Sequence, residues 1–145
     1  MHPGDDRLAE ALQRMAQLPL AHFQPLFDLL PALQAPAPQA PDVLRHEADG
    51  SLTYAPEHAD TVTRLIDACY EVGVVLPIDW PAFRDQHPFH ERPQLIDGFD
   101  RLQCLSALTA LVRGDRFSDG LLHNHWQQGT LAHLVQRLQA VGPAH

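Results

Sequence analysis

Asp100-Arg101-Leu102-Gln103-Cys104-Leu105-Ser106-Ala107-Leu108-Thr109-Ala110-Leu111-Val112-Arg113 is the stretch on which the fold turns. Asp100 with Gln103 three residues on makes a capping-box start for a helix. Leu102, Leu105, Leu108, Leu111 and Val112 then make that helix apolar around most of its girth, and its only polar strip is Gln103, Ser106 and Arg113. A helix of this kind is buried, so the spacing predicts the central helix of a helical domain, with Arg113 where it leaves the core.

The flanking sequence supplies helices to pack against it. Leu8, Ala11, Leu12 and Met15 recur at helical intervals behind Asp5 and Asp6, which suit a helix start, and Pro19 closes the segment. Pro25 suits the first turn of a short helix bearing Leu26, Phe27, Leu29 and Leu30, with Pro31 as its expected stop. The prolines of 35–41 read as an extended spacer. Segments 43–47 and 52–54 flank Asp49-Gly50, the chemistry of a tight β-hairpin turn. Val62, Leu65, Ile66 and Cys69 stripe a helix opened near Pro56 and ended by Gly73. Asp79 is a cap with Pro81 in the following first turn, and 86–97 reads as a polar surface loop. Ser118 and Thr130 are the expected caps of two last helices, carrying Leu121, Leu122 and Trp126 and then Leu131, Leu134, Val135 and Leu138. The expected architecture is mainly α: a single compact helical domain over 1–145 of about six helices with one small β-hairpin, comprising N-terminal helices over 1–34, the spacer, and a hairpin and helical core over 42–141.

Composition narrows the function classes. Hydrophobic residues make up 45% and charged residues 19% of the 145, too apolar for disorder and ample for one core. Net charge is −8 and every basic side chain is an arginine or histidine, for there is no lysine. The arginines are scattered between carboxylates, so nucleic acid is disfavoured as a partner and stands third among the functional readings. No apolar run reaches a membrane span and the start lacks the pattern of a signal peptide, so the expectation is a cytoplasmic protein without membrane contact. Cys69 and Cys104 fall on apolar helix faces, where small hydrophobes belong.

The central helix ends in a knot of charge, Leu108-Thr-Ala-Leu-Val-Arg113-Gly-Asp115-Arg116-Phe117-Ser-Asp119-Gly120. This stretch resembles a bacterial family catalogued as domain of unknown function six-five-zero-eight, whose pattern is close to Leu-Thr-x-x-Val-Arg-x-Glu-Arg-Phe-x-Glu/Asp-Gly. It matches at Thr109, Arg113, Arg116, Phe117, Asp119 and Gly120, with Arg137-Leu138 downstream. Asp115 stands where the family has glutamate and Ser118 where it has cysteine, which argues against a thiol nucleophile. A weaker resemblance runs from Asp49 to Tyr70 and over Ile78-Asp79-Trp80, so that about two thirds of the chain is covered. The resemblance implies a fold and a motif; the family brings no activity or cofactor with it.

Two readings of the knot stay open. In the first it is a structural clamp: the arginines pair with Asp115, Asp119 or other acids and bond helix-end carbonyls. The chain is then a protein-interaction or regulatory module, with a protein partner or a second copy as its target and no cofactor. In the alternative, Arg113 and Arg116 with Asp119 grip an anionic group in an enzyme or ligand binder, because arginine forks suit carboxylate and phosphate. Asp119 and His123, four apart, would then share a helix face as half of a general-base pair, while His125, two positions on, points away from His123 and is the alternative group for proton transfer. His87, His90 and Glu91 offer metal-ligand chemistry, but Pro88 spoils a helical presentation, and the expectation is no metal.

Overall fold

The computed structural model describes residues 3–35, 42–46, 52–56, 59–115 and 120–141. The chain is mainly helical. Helix α1, Pro3–Gln17, leads into a 3-10 turn, Leu20–Phe23, and two short helices, α2 (Gln24–Phe27) and α3 (Leu30–Gln34). Strands β1, Asp42–His46, and β2, Leu52–Pro56, follow, then α4 (Ala59–Glu71), α5 (Trp80–Gln86), a 3-10 turn over Pro93–Gly98, α6 (Arg101–Gly114), α7 (Leu121–Gln127) and α8 (Thr130–Ala140).

Helix α6 is the hub. Helices α1, α5, α7 and α8 all pack on it, and α8 in turn touches α2, α3 and α7. Cys104, Leu105, Ala107, Leu108, Thr109, Ala110, Leu111 and Val112 are buried, while Gln103, Ser106 and Arg113 are half-buried, as the pattern requires. Its capping box is complete: Asp100 Oδ1 accepts from the Gln103 amide at 2.8 Å and Gln103 Oε1 accepts from the Asp100 amide at 2.9 Å. Two helix-start donors are thereby satisfied.

Helix α4 ends as its glycine predicts. Gly73 adopts φ +78°, its amide bonds the Tyr70 carbonyl at 3.2 Å, and the Val74 amide reaches back to Cys69 at 2.8 Å. This Schellman closure turns the buried Val74 and Leu76 toward α6.

Several local expectations are corrected. Pro31 lies in the first turn of α3 and opens that helix, where a missing N–H costs nothing. The segment 86–97 is largely exposed, as expected of a surface loop, but it is anchored in the core: Phe89 and Ile96 are fully buried, and Phe89 joins Phe83 and Phe99 in an aromatic cluster with ring centroids 6.1–6.5 Å apart. The polar sequence around these anchors hid them. Thr130 is the first residue of α8, whose cap is Gly129 at φ +80°, and α7 is preceded by Gly120 at φ +81°. The strands pair antiparallel with His46 opposite Leu52, whereas a two-residue turn at Asp49-Gly50 would set His46 opposite Thr53. Residues 47–51 themselves lie outside the described residues, as does most of the proline-rich spacer.

Among the described residues no helix is long and apolar enough to cross a membrane. Tyr70 is the one large hydrophobic side chain exposed among them.

Candidate functional site

The motif beginning at Leu108 starts deep in the core. Thr109 is fully buried, and its hydroxyl accepts from the Leu76 amide at 3.1 Å. Its proton faces two carbonyls, Val74 at 2.7 Å and Leu105 at 2.8 Å. The 74–76 segment has no strand partner among the described residues, so a single side chain supplies what a sheet ladder would otherwise provide. Sequence periodicity placed Thr109 in an apolar helix without indicating this task.

At the exit of α6, Gly114 lets other elements approach. A Cβ there would meet Leu121 Cδ2 at 2.9 Å and the Trp80 ring at 3.7 Å. Asp115 caps α6 with its backbone, and its Oδ1 accepts from the Leu122 amide at 3.1 Å. A carboxylate from the preceding helix thus satisfies a first-turn donor of α7. Ser118 does not occupy the cap position of α7, which belongs to Gly120.

Arg113 is half-buried, and its Nε is enclosed with no hydrogen-bond partner. Among the described residues neither Arg113 nor Asp115 enters an ion pair. Arg116, Phe117 and Asp119 lie outside the described residues. Helix α7 begins at Leu121 and carries His123, and the expected pairing of His123 with Asp119 falls outside the described residues.

The two histidines of α7 are both buried and have different surroundings. His123 sits edge-on to Trp126, with centroids 6.0 Å apart. His125 packs against Phe89 at 6.3 Å, and burial first, then His90 and Arg84, push its pKa down to about 4. At neutral pH it is an uncharged core ring. His87 stacks on Phe83 at 4.8 Å, while His90 points to Glu91 at 3.8 Å. No three His, Cys, Asp or Glu side chains among the described residues gather around a common metal position. Burial drives both thiols, Cys69 and Cys104, up to about 12, which leaves them protonated and unreactive.

Sequence reasoning missed Arg101. It is 2% exposed, yet it opens α6, where a cation opposes the helix dipole. Its Nη1 donates to the carbonyls of Met15, Ala16 and Leu18, and its guanidinium lies 5.1 Å over the Phe23 ring. One cation therefore closes the C-terminal end of α1. The only sequence sign was an arginine directly behind a capping aspartate. Arg137 makes a similar bridge, its Nε donating to the Phe99 carbonyl at 2.9 Å. His133 meets Asp97 at 2.7 Å and ties α8 to the Pro93–Gly98 turn.

No curated protein and no solved structure matches the chain. A family model does match, over residues 18–143, a longer span than the motif and hairpin alone suggested. The chain belongs to the family described as Family of unknown function (DUF6508).

Proposed function

We propose that the chain is a non-catalytic interaction or regulatory module whose charged motif is a structural joint. The observation that carries this reading is that the hydroxyl of Thr109 and the carboxylate of Asp115 are both spent on the chain's own backbone, at Val74, Leu76 and Leu122. Groups committed in this way hold helices in place and are not free to act on a substrate. Two further features support it: an uncharged, enclosed His125 is a poor base at neutral pH, and thiols pushed up to about 12 are poor nucleophiles.

The test is to incubate the purified chain and its His123→Gln and His125→Phe variants with a mixed cellular metabolite extract and follow composition by mass spectrometry. The reading expects no enzyme-dependent change, together with a partner protein, or a second copy, bound in fixed stoichiometry. A product formed by the parent chain and lost in either variant refutes it.

One observation favours the second reading, in which Arg113 and Arg116 hold an anion: the enclosed Arg113 Nε has a donor to spare. Arg113→Lys keeps the charge but loses the fork, so under that reading it abolishes binding of phosphate or dicarboxylate probes.

A further inference from the structure

A cleft of about 240 Å³ opens on the opposite end of α6, between Ala16 at the end of α1, residues 98–102, and Arg137 and Val141 at the end of α8. We propose that this cleft binds a small monocarboxylate, gripped by Arg101 and Arg137, with its apolar part against Phe99, Leu102 and Val141.

The first observation is an unspent pair of donors. Arg101 is almost wholly buried and its Nη1 serves three carbonyls, but its Nε and Nη2 have no hydrogen-bond partner. Those two nitrogens carry the parallel N–H groups that form the side-on fork of a guanidinium, the geometry that grips a carboxylate with two bonds. Leaving charged donors enclosed and unpaired costs free energy, which an incoming anion recovers. Nη1 keeps its closest bond, to the Leu18 carbonyl, while the long ones to Met15 and Ala16, 3.4 and 3.3 Å, give way as the enclosed Nε and Nη2 turn toward the cleft.

The second observation is a second arginine already positioned. Arg137 has its Nε fixed to the Phe99 carbonyl, which leaves its terminal nitrogens for a guest at the cleft wall. The start of α6 places partial positive charge at this end, but the C-terminal ends of α1 and α8 at the same cleft oppose it, so the attraction for an anion comes from the two guanidiniums.

Charge and lining select the class of ligand. Two guanidiniums against the one carboxylate of Asp100 leave a net single positive charge in the lining, which a monoanion balances and a phosphate dianion exceeds. Ala16, Phe99, Leu102 and Val141 make the rest of the wall apolar, so the guest carries a hydrocarbon group. The site is distinct from the Leu108–Gly120 motif, and its existence does not depend on the role proposed for that motif.

The experiment is a titration of the full chain with benzoate at low ionic strength, read by the ¹H–¹⁵N signals of the arginine Nε groups. Benzyl alcohol and inorganic phosphate are parallel probes. The Nε signals of Arg101 and Arg137 are expected to move together with benzoate. Arg137→Gln, a half-buried change away from the core, and Arg101→Lys, which keeps the charge but loses the fork, should each weaken benzoate binding about tenfold or more. Benzyl alcohol should bind far more weakly than benzoate. Signals that stay still at millimolar benzoate, an unchanged affinity in Arg137→Gln, or phosphate bound as tightly as benzoate would each overturn the assignment.

Discussion

Thr109→Val tests the joint most directly, because valine keeps the shape of threonine and removes only its hydrogen bonds. In the native chain the hydroxyl sits 3.1 Å from the Leu76 amide and 2.7 Å from the Val74 carbonyl, and both residues are buried. Leu105 matters less, since its carbonyl already accepts within α6. Each orphaned buried backbone group costs about 1–3 kcal/mol. Burying the extra methyl returns about 0.8 kcal/mol. The net loss is therefore about 1–5 kcal/mol, which for a chain of this size lowers the Tm by roughly 2–20 °C. Urea unfolding followed by circular dichroism at 222 nm, with the slope unchanged, reads it out. Thr109→Ser is the control: it keeps the hydroxyl, loses a methyl, and costs about 1 kcal/mol. If serine proves more damaging than valine, the site is an ordinary apolar contact and the reasoning fails.

Four shorter predictions follow from other parts of the fold. His125 has a folded-state pKa of about 4 against 6.5 for the free side chain. The unfolded chain therefore takes up this proton first, and stability that is full above pH 6.5 falls as pH drops toward 4, by about 3 kcal/mol from this residue. In His125→Phe the urea midpoints between pH 7.5 and 4.5 should fall less steeply, and parallel curves would contradict the assignment. Gly129→Ala forces a left-handed φ of +80° on a side chain with open space around it, a cost of about 1–2 kcal/mol by thermal melt, whereas Gly98→Ala, equally open and without positive φ, should cost nothing. Arg101→Met removes the bonds that close α1 and should speed hydrogen exchange across residues 8–18 by lowering local stability about 1–3 kcal/mol, with α6 to α8 still protected. A thiol reagent at neutral pH should label neither Cys69 nor Cys104 until the chain unfolds, because both are buried and held protonated.

How far the residues could be read depended on whether their partners were near in sequence. The capping box at Asp100 and Gln103, the cap at Asp79, and the glycine closing α4 all act within a few positions, and each is in place. The polar strip of α6 was readable for the same reason. Expectations failed where a short polar segment hid its anchors, as at Phe89 and Ile96, or where two signals competed for one boundary, as with Pro31, Ser118 and Thr130. Within the motif, identity was readable and role was not. Asp115 read as one of several possible partners for the arginines, and it accepts from the Leu122 amide.

Helical class, a buried central helix and membership in a family follow from periodicity, capping chemistry and a local pattern of residues, since these depend on neighbours three or four positions away. The tasks of Thr109 and Arg101 follow from chain segments 33 to 86 residues distant, which come alongside only when the helices pack. A hydroxyl in an apolar helix and a cation at a helix start look like minor blemishes in one dimension. In three dimensions the unpaired backbone groups of other segments arrive beside them, and the cost of burying those groups unsatisfied gives each residue its purpose.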